Sequence, residues 1–291
     1  MLRQLYRFFL KKDYYRSVKF FLSALYNSLS HKVEKNMMKF FKKKQTDLYM
    51  SSSKIKFIFL VGVEGTGHSM IRSVLKPIID QPYFVDQGEW HLQMMNFWDP
   101  DASLKQRIKG KKVIEKSIKK YCKDQYTHLL DTASFPYNQP RNSLRRFDIL
   151  ELVDILKDFC EVRLLVLYRD PISTAYSGIR RGFVKHPYLQ AQIVEDNLIF
   201  INAQLSQISP KLYKTLIFED FLDQPESHIK PLSQWWGIEE LKLLEGIKFL
   251  KSPTTLDEIP IKIKQCLNDF FSSSRINQWP LLTSMTNRLR V

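Results

Sequence analysis

The spacing of apolar and polar positions changes character along the chain. Over residues 1–50, Leu2, Leu5, Phe8 and Phe9, then Val18, Phe21, Leu22 and Leu25, recur every three or four residues between basic positions. That period is one face of a helix, so the segment is expected to be a basic amphipathic helical arm. Ser51-Ser52-Ser53 interrupts it as a linker. Beyond it, short apolar runs alternate with helical periodicity. Strands are predicted over 56–61, near Tyr83 to Val85, and over Thr127 to Leu130, Val162 to Leu167 and Thr215 to Phe218. Helices are predicted from about 67, over 143–158, from Pro171, over 189–207 and over Ile229 to Gly237. Strands separated by helices predict an α/β fold over 54–291, three-layered, with a central parallel sheet flanked by helices.

Composition narrows the class. A chain of 291 residues with 44% hydrophobic and 13% aromatic content can bury a large core. Its net charge of +15 is uneven, because residues 1–50 hold twelve Lys or Arg against three Asp or Glu. The arm's charges either stay solvated or meet a membrane surface peripherally. Its aromatics lie at packing spacing and no nucleic-acid motif accompanies them, so nucleic acid is not an expected partner. Cys122, Cys160 and Cys266 are far apart, without the pairing that zinc or a disulfide framework needs. No apolar run is long enough to span a bilayer and no signal peptide is evident, so a cytoplasmic protein is expected.

The candidate chemistry starts where the first strand ends. In Phe57-Ile58-Phe59-Leu60-Val61-Gly62-Val63-Glu64-Gly65-Thr66-Gly67-His68-Ser69 an apolar strand enters a glycine-rich turn and then a helix, a P-loop-like cradle for a phosphate or sulfate group. His68 stands where a nucleoside-triphosphate loop carries its lysine. A second strand ends in Tyr168-Arg169-Asp170-Pro171, with Asp170 as N-cap, Pro171 opening a helix and Ser177 two turns along it. Arg169 offers a planar fork of donors and Ser177 a hydroxyl, a combination suited to a terminal phosphate.

These residues resemble the sulfotransferases that use 3'-phosphoadenosine 5'-phosphosulfate (PAPS). Gly62 to Met70 looks like that family's 5'-phosphosulfate loop. Arg169, with a serine eight residues later at Ser177, looks like its 3'-phosphate site. A third element, Thr215 to Pro225 followed by Ile229 to Gly237, resembles the family's strand, Glu-Asp turn and closing helix. The resemblance implies PAPS as co-substrate, no metal, and transfer of sulfonate to a hydroxyl or amine of a small-molecule, carbohydrate or lipid acceptor. Gly65, Thr66, Gly67, His68 and Ser69 would hold the phosphosulfate.

Gly65 departs from the family, which usually carries Lys or Arg there. Losing one such donor costs roughly 10²–10³ in rate. His68 is the nearest replacement cation; failing it, the chain is a catalytically impaired nucleotide binder. A P-loop small-molecule kinase is a third reading, in which Asp131 would hold Mg²⁺. For the general base the resemblance points to Glu89, with His91 as alternative, and it places Asp131 and Ser134 near the acceptor. Ser272 to Trp279 resembles a late basic loop that closes over the 3'-phosphate, which makes Arg275 a further candidate; Arg180 and Arg181 either extend the positive potential or decorate a helix.

Overall fold

Neighbouring side chains of the longest strand point to opposite sides of the sheet. In β1 (Ile55–Val63), Phe57, Phe59, Val61 and Val63 enter one hydrophobic cluster, while Ile58 and Leu60 enter another. β4 (Cys160–Tyr168) divides in the same way, with Val162, Leu164, Val166 and Tyr168 on the first side and Leu165 and Leu167 on the second. All of these side chains are buried. A sheet covered on both faces accounts for the near-continuous apolar runs read in the sequence.

The computed structural model describes residues 55–88, 90–91, 103–123, 126–135, 148–250 and 258–278, all belonging to the unit Lys54–Val291. The expected arm over 1–50, Glu89 and Trp279 lie outside the described residues. The remaining strands are β2 (Phe84–Asp86), β3 (His128–Phe135) and β5 (Tyr213–Ile217). The sheet runs β2-β3-β1-β4-β5, parallel throughout. Gly62 lies opposite Ser134 on β3 and Leu167 on β4, so the glycine turn leaves the sheet between those two strand ends. The chain runs from β1 out to the edge at β2, returns to β3 beside β1, then crosses to β4 and β5 on the other side. That reversal opens a crevice beyond the carboxyl ends of β1 and β4, where open α/β sheets bind ligands.

The helices are α1 (His68–Val74), α2 (Lys76–Ile79), α3 (Leu104–Lys123), α4 (Ile149–Leu156), α5 (Pro171–Arg180), α6 (Pro187–Leu205), α7 (Phe218–Asp223), α8 (Pro225–Trp236), α9 (Glu240–Ile247) and α10 (Ile261–Ser272). Ile71 and Val74 of α1, Ile229, Leu232 and Trp236 of α8 and Leu243 of α9 cover one face. Ile114 and Ile118 of α3, with residues of α4, α6 and α10, cover the other. The result is the three-layer α/β architecture that the alternating pattern predicts. The expected helix over 143–158 opens at Ile149 because Asp148 caps it, accepting the Glu151 amide at 2.9 Å. The sequence pattern gave no notice of α3, α9 or α10. In α3 the inward face is narrow, Gly110, Ile114, Ser117 and Ile118, and the many lysines around it mask its period.

Candidate functional site

Two glycines make the turn after β1 possible: Gly65 at φ +100° and Gly67 at φ +110°, a region that side chains disfavour. A Cβ at Gly67 would lie 2.6 Å from the Phe218 ring, and one at Gly65 3.1 Å from Ser177 Cβ and 3.2 Å from the Thr174 carbonyl oxygen. The turn is therefore packed directly against α5. Thr66 is 1% exposed, and both its hydroxyl and its amide donate to the Val63 carbonyl, at 2.8 and 3.1 Å. Its side chain ties the turn to the strand and does not face the ligand side, where the sequence reading put it. Ser69 does face that side.

Gly65, Gly67, His68 and Ser69 wall a cavity of about 560 Å³, within the range of small-molecule sites. Arg169, Ser173 and Ser177 line it from β4 and α5, and Arg72, Arg180 and Arg181 bring further positive charge. Arg169 is 9% exposed; its Nη1 donates to the Gly65 carbonyl at 3.2 Å and its guanidinium lies 4.3 Å from the Phe218 ring centre. Burial presses its pKa down while Glu219, 3.8 Å away, and Asp170 raise it. Asp170 accepts the Ser173 amide at 2.6 Å and so caps α5, with Pro171 in the first turn. Ser177, nearly buried two turns later, reaches Gly65. The two residues paired from their spacing thus meet at one cavity.

His68 is neutral. Burial pushes its pKa down to about 4, against the Glu64 carboxylate, which raises it, while Arg181 and Arg72 lower it further. Its Nε2 lies 3.0 Å from the Ala133 carbonyl, and since a carbonyl only accepts, Nε2 carries the proton. The ring links the loop to β3 and brings no fixed charge to the cavity. Charge comes instead from arginines: Arg181 pairs with Glu64 on the turn itself, and Arg72 holds both carboxylate oxygens of Asp86. Arg72 escaped the sequence reading, although it lies three residues after Ser69 on the same helix face.

Beyond β3 lies a second group. Asp131, fully buried, accepts from Trp90 Nε1 at 2.7 Å and from the Thr132 amide at 2.7 Å, and lies 2.6 Å from His91 Nδ1. The Asp131 hydrogen bond holds the His91 pKa above the usual histidine value, against burial, which lowers it. Asp86, held by Arg72, raises the His91 pKa further, so the group connects to the cavity wall through Arg72. His91 and Asp131 are thus brought together, and Ser134 lies across from Gly62. Arg275 is not brought to the cavity. It pairs with Glu195 at 3.1 Å and Asp196 at 2.8 Å, and lines a separate hollow with Tyr188 and Lys262. Among the described residues no helix is long and apolar enough to cross a membrane.

No protein-family model and no curated protein matches the chain. Among solved structures it is similar to the sulfotransferase domain of the Synechococcus olefin synthase, at 16% identity over 84% of this chain and 97% of that one, with a TM-score of 0.46. It is also similar to a sulfotransferase from Alicyclobacillus acidocaldarius, at 13% identity over 82% and 96%, TM-score 0.46. A mouse sulfotransferase complexed with PAP gives 11% identity over 81% and 88%, TM-score 0.47.

Proposed function

We propose that residues 54–291 bind PAPS in the cavity above β1 and β4 and transfer its sulfonate to a hydroxyl or amine of a small-molecule, carbohydrate or lipid acceptor. The observation that carries this reading is the meeting of Arg169 and Ser177 with the Gly65 turn, in a cavity lined by four arginines and one carboxylate, Glu64. Two separate anion-binding elements facing one space suit a ligand with two anionic ends. Arg169 and Ser177 take the 3'-phosphate, while the turn amides and Ser69 take the phosphosulfate.

In the transfer, the acceptor atom bonds to sulfur as the bond from sulfur to the 5'-phosphate oxygen breaks. 3',5'-Adenosine bisphosphate leaves, and the acceptor proton passes to a base. Negative charge grows on the leaving phosphate, so preorganised positive charge beside it lowers the barrier. Gly65 provides no side chain for this and His68 is neutral, which leaves Arg181, Arg180 and Arg72 as the source of the field. His91, oriented by Asp131, is the described group best suited to take the proton; Glu89 is the other candidate.

The empty Gly65 position and the neutral His68 also favour a second reading, a nucleotide binder without turnover. The kinase reading loses support because Asp131, its metal ligand, is buried and engaged by Trp90, His91 and Thr132. Saturating 3',5'-adenosine bisphosphate, at about a hundred times its dissociation constant, should stabilise the fold by about 2.7 kcal/mol and raise the melting temperature by roughly 5–10 °C. Stabilisation by ATP with Mg²⁺ and none by the bisphosphate defeats the reading. Release of bisphosphate from PAPS across an acceptor panel separates enzyme from binder.

A further inference from the structure

Helix α3 carries nine Lys or Arg and a single acidic residue, Glu115, while the rest of 51–291 is slightly acidic. Its inward side packs on the domain: Ile114 and Ile118 are in the core, and Tyr121 packs edge-on against Trp90. On the opposite side Lys105, Lys109, Lys112, Lys116 and Lys119 follow at intervals of four, three, four and three. At about 100° per residue they fall within an arc of about 80°, and at 1.5 Å per residue the row is about 21 Å long. All five are exposed, and among the described residues none of them is ion-paired.

Beside the start of this row Leu104 is 74% exposed and Ile108 49%. We propose that α3 is a docking surface for an anionic lipid bilayer, with the lysine row on the headgroups and Leu104 and Ile108 entering between them. Lysines act as compact point charges without the planar fork that reads fixed anion geometry, which suits a surface of mobile headgroups. The two aliphatic side chains select a bilayer over a soluble polyanion, since only a bilayer offers an apolar layer beneath its charge. This surface is independent of the PAPS reading.

The test is co-sedimentation of the full chain with phosphatidylcholine vesicles, with and without phosphatidylserine. The chain is expected to partition onto the anionic vesicles only. The combined variant Lys105→Gln, Lys109→Gln, Lys112→Gln, Lys116→Gln and Lys119→Gln should bind them at least about tenfold less, and the corresponding five Lys→Arg changes should bind as the parent does. Leu104→Ser with Ile108→Ser should weaken vesicle binding and leave binding to soluble heparin unchanged. Circular dichroism checks the fold of each variant. Undiminished vesicle binding by the folded five-glutamine variant overturns the proposal. So does binding to heparin without binding to vesicles, and so does failure of the full chain to bind anionic vesicles.

Discussion

Placing a lysine at position 65 should harm this protein. The Gly65 backbone is at φ +100°, where a side chain costs about 1–3 kcal/mol, and its Cβ would press on Ser177 Cβ at 3.1 Å, the Thr174 carbonyl at 3.2 Å and Ser177 Oγ at 3.3 Å. A central cost of about 2 kcal/mol lowers the melting temperature of a domain this size by about 4–8 °C. In the PAPS reading Ser177 must also shift away from the 3'-phosphate, and the loss of a hydrogen bond to a charged group should weaken 3',5'-adenosine bisphosphate at least about tenfold. Scanning fluorimetry gives the first quantity and calorimetric titration the second. Gly65→Ala, which adds the same strain without the charge, isolates the backbone contribution and should behave alike. If Gly65→Lys melts within a degree of the parent and binds the bisphosphate more tightly, or turns over PAPS faster, the account of the turn is wrong.

Arg169→Gln keeps much of the side chain's bulk over Phe218 but removes the charge, and should weaken the bisphosphate by about 10–100-fold in titration. His91→Ala should lower turnover by about 10²–10⁴ with bisphosphate affinity unchanged, and Asp131→Asn should move the rising limb of the pH–rate profile toward the ordinary histidine value; a profile that stays put rejects the pair. His68 and His128 are held neutral in the fold, each with a pKa of about 4 against an ordinary 6.5. The unfolded rings bind protons first as pH falls, so the contribution of these two histidines should be level above about pH 7 and decline between 6.5 and 4. His91 acts with the opposite sign, favouring the fold below 6.5 and losing that contribution as pH rises through its folded value. Urea unfolding at neutral and acidic pH should show the net decline, reduced in His68→Gln and His128→Gln.

What could be read in the sequence was whatever lay in short, ordered stretches. The strands of a doubly covered parallel sheet are plain apolar runs, and the Arg169–Ser177 pair was visible because a proline-opened helix fixes the distance between its residues. Contacts across elements were not visible. Nothing in the chain order shows that Thr66 turns inward to Val63, that His68 Nε2 donates a hydrogen bond to the Ala133 carbonyl, or that Arg275 is drawn to Glu195 and Asp196. Each is settled by the nearest acceptor in three dimensions. Helix α3 was missed for a related reason, since its lysines belong to the solvent face and carry no information about the narrow face that packs.

The vacancy at Gly65 and the arginines around it have one cause. Because the turn rests on α5, where a Cβ at position 65 would lie 3.1 Å from Ser177 Cβ and 3.2 Å from the Thr174 carbonyl, a side-chain cation at position 65 itself is disfavoured. Among the described residues, positive charge enters instead at Arg169 beyond β4, at Arg72 on α1 and at Arg180 and Arg181 at the end of α5. Arg181 is aimed by Glu64, the residue just before the glycine, so the turn recruits across the cavity the charge it cannot carry. In the sulfonate-transfer reading, the step depends on the Glu64–Arg181 pair more than on His68. Truncating Glu64 should then reduce turnover although a negative charge has left an anion site, because the guanidinium loses its position.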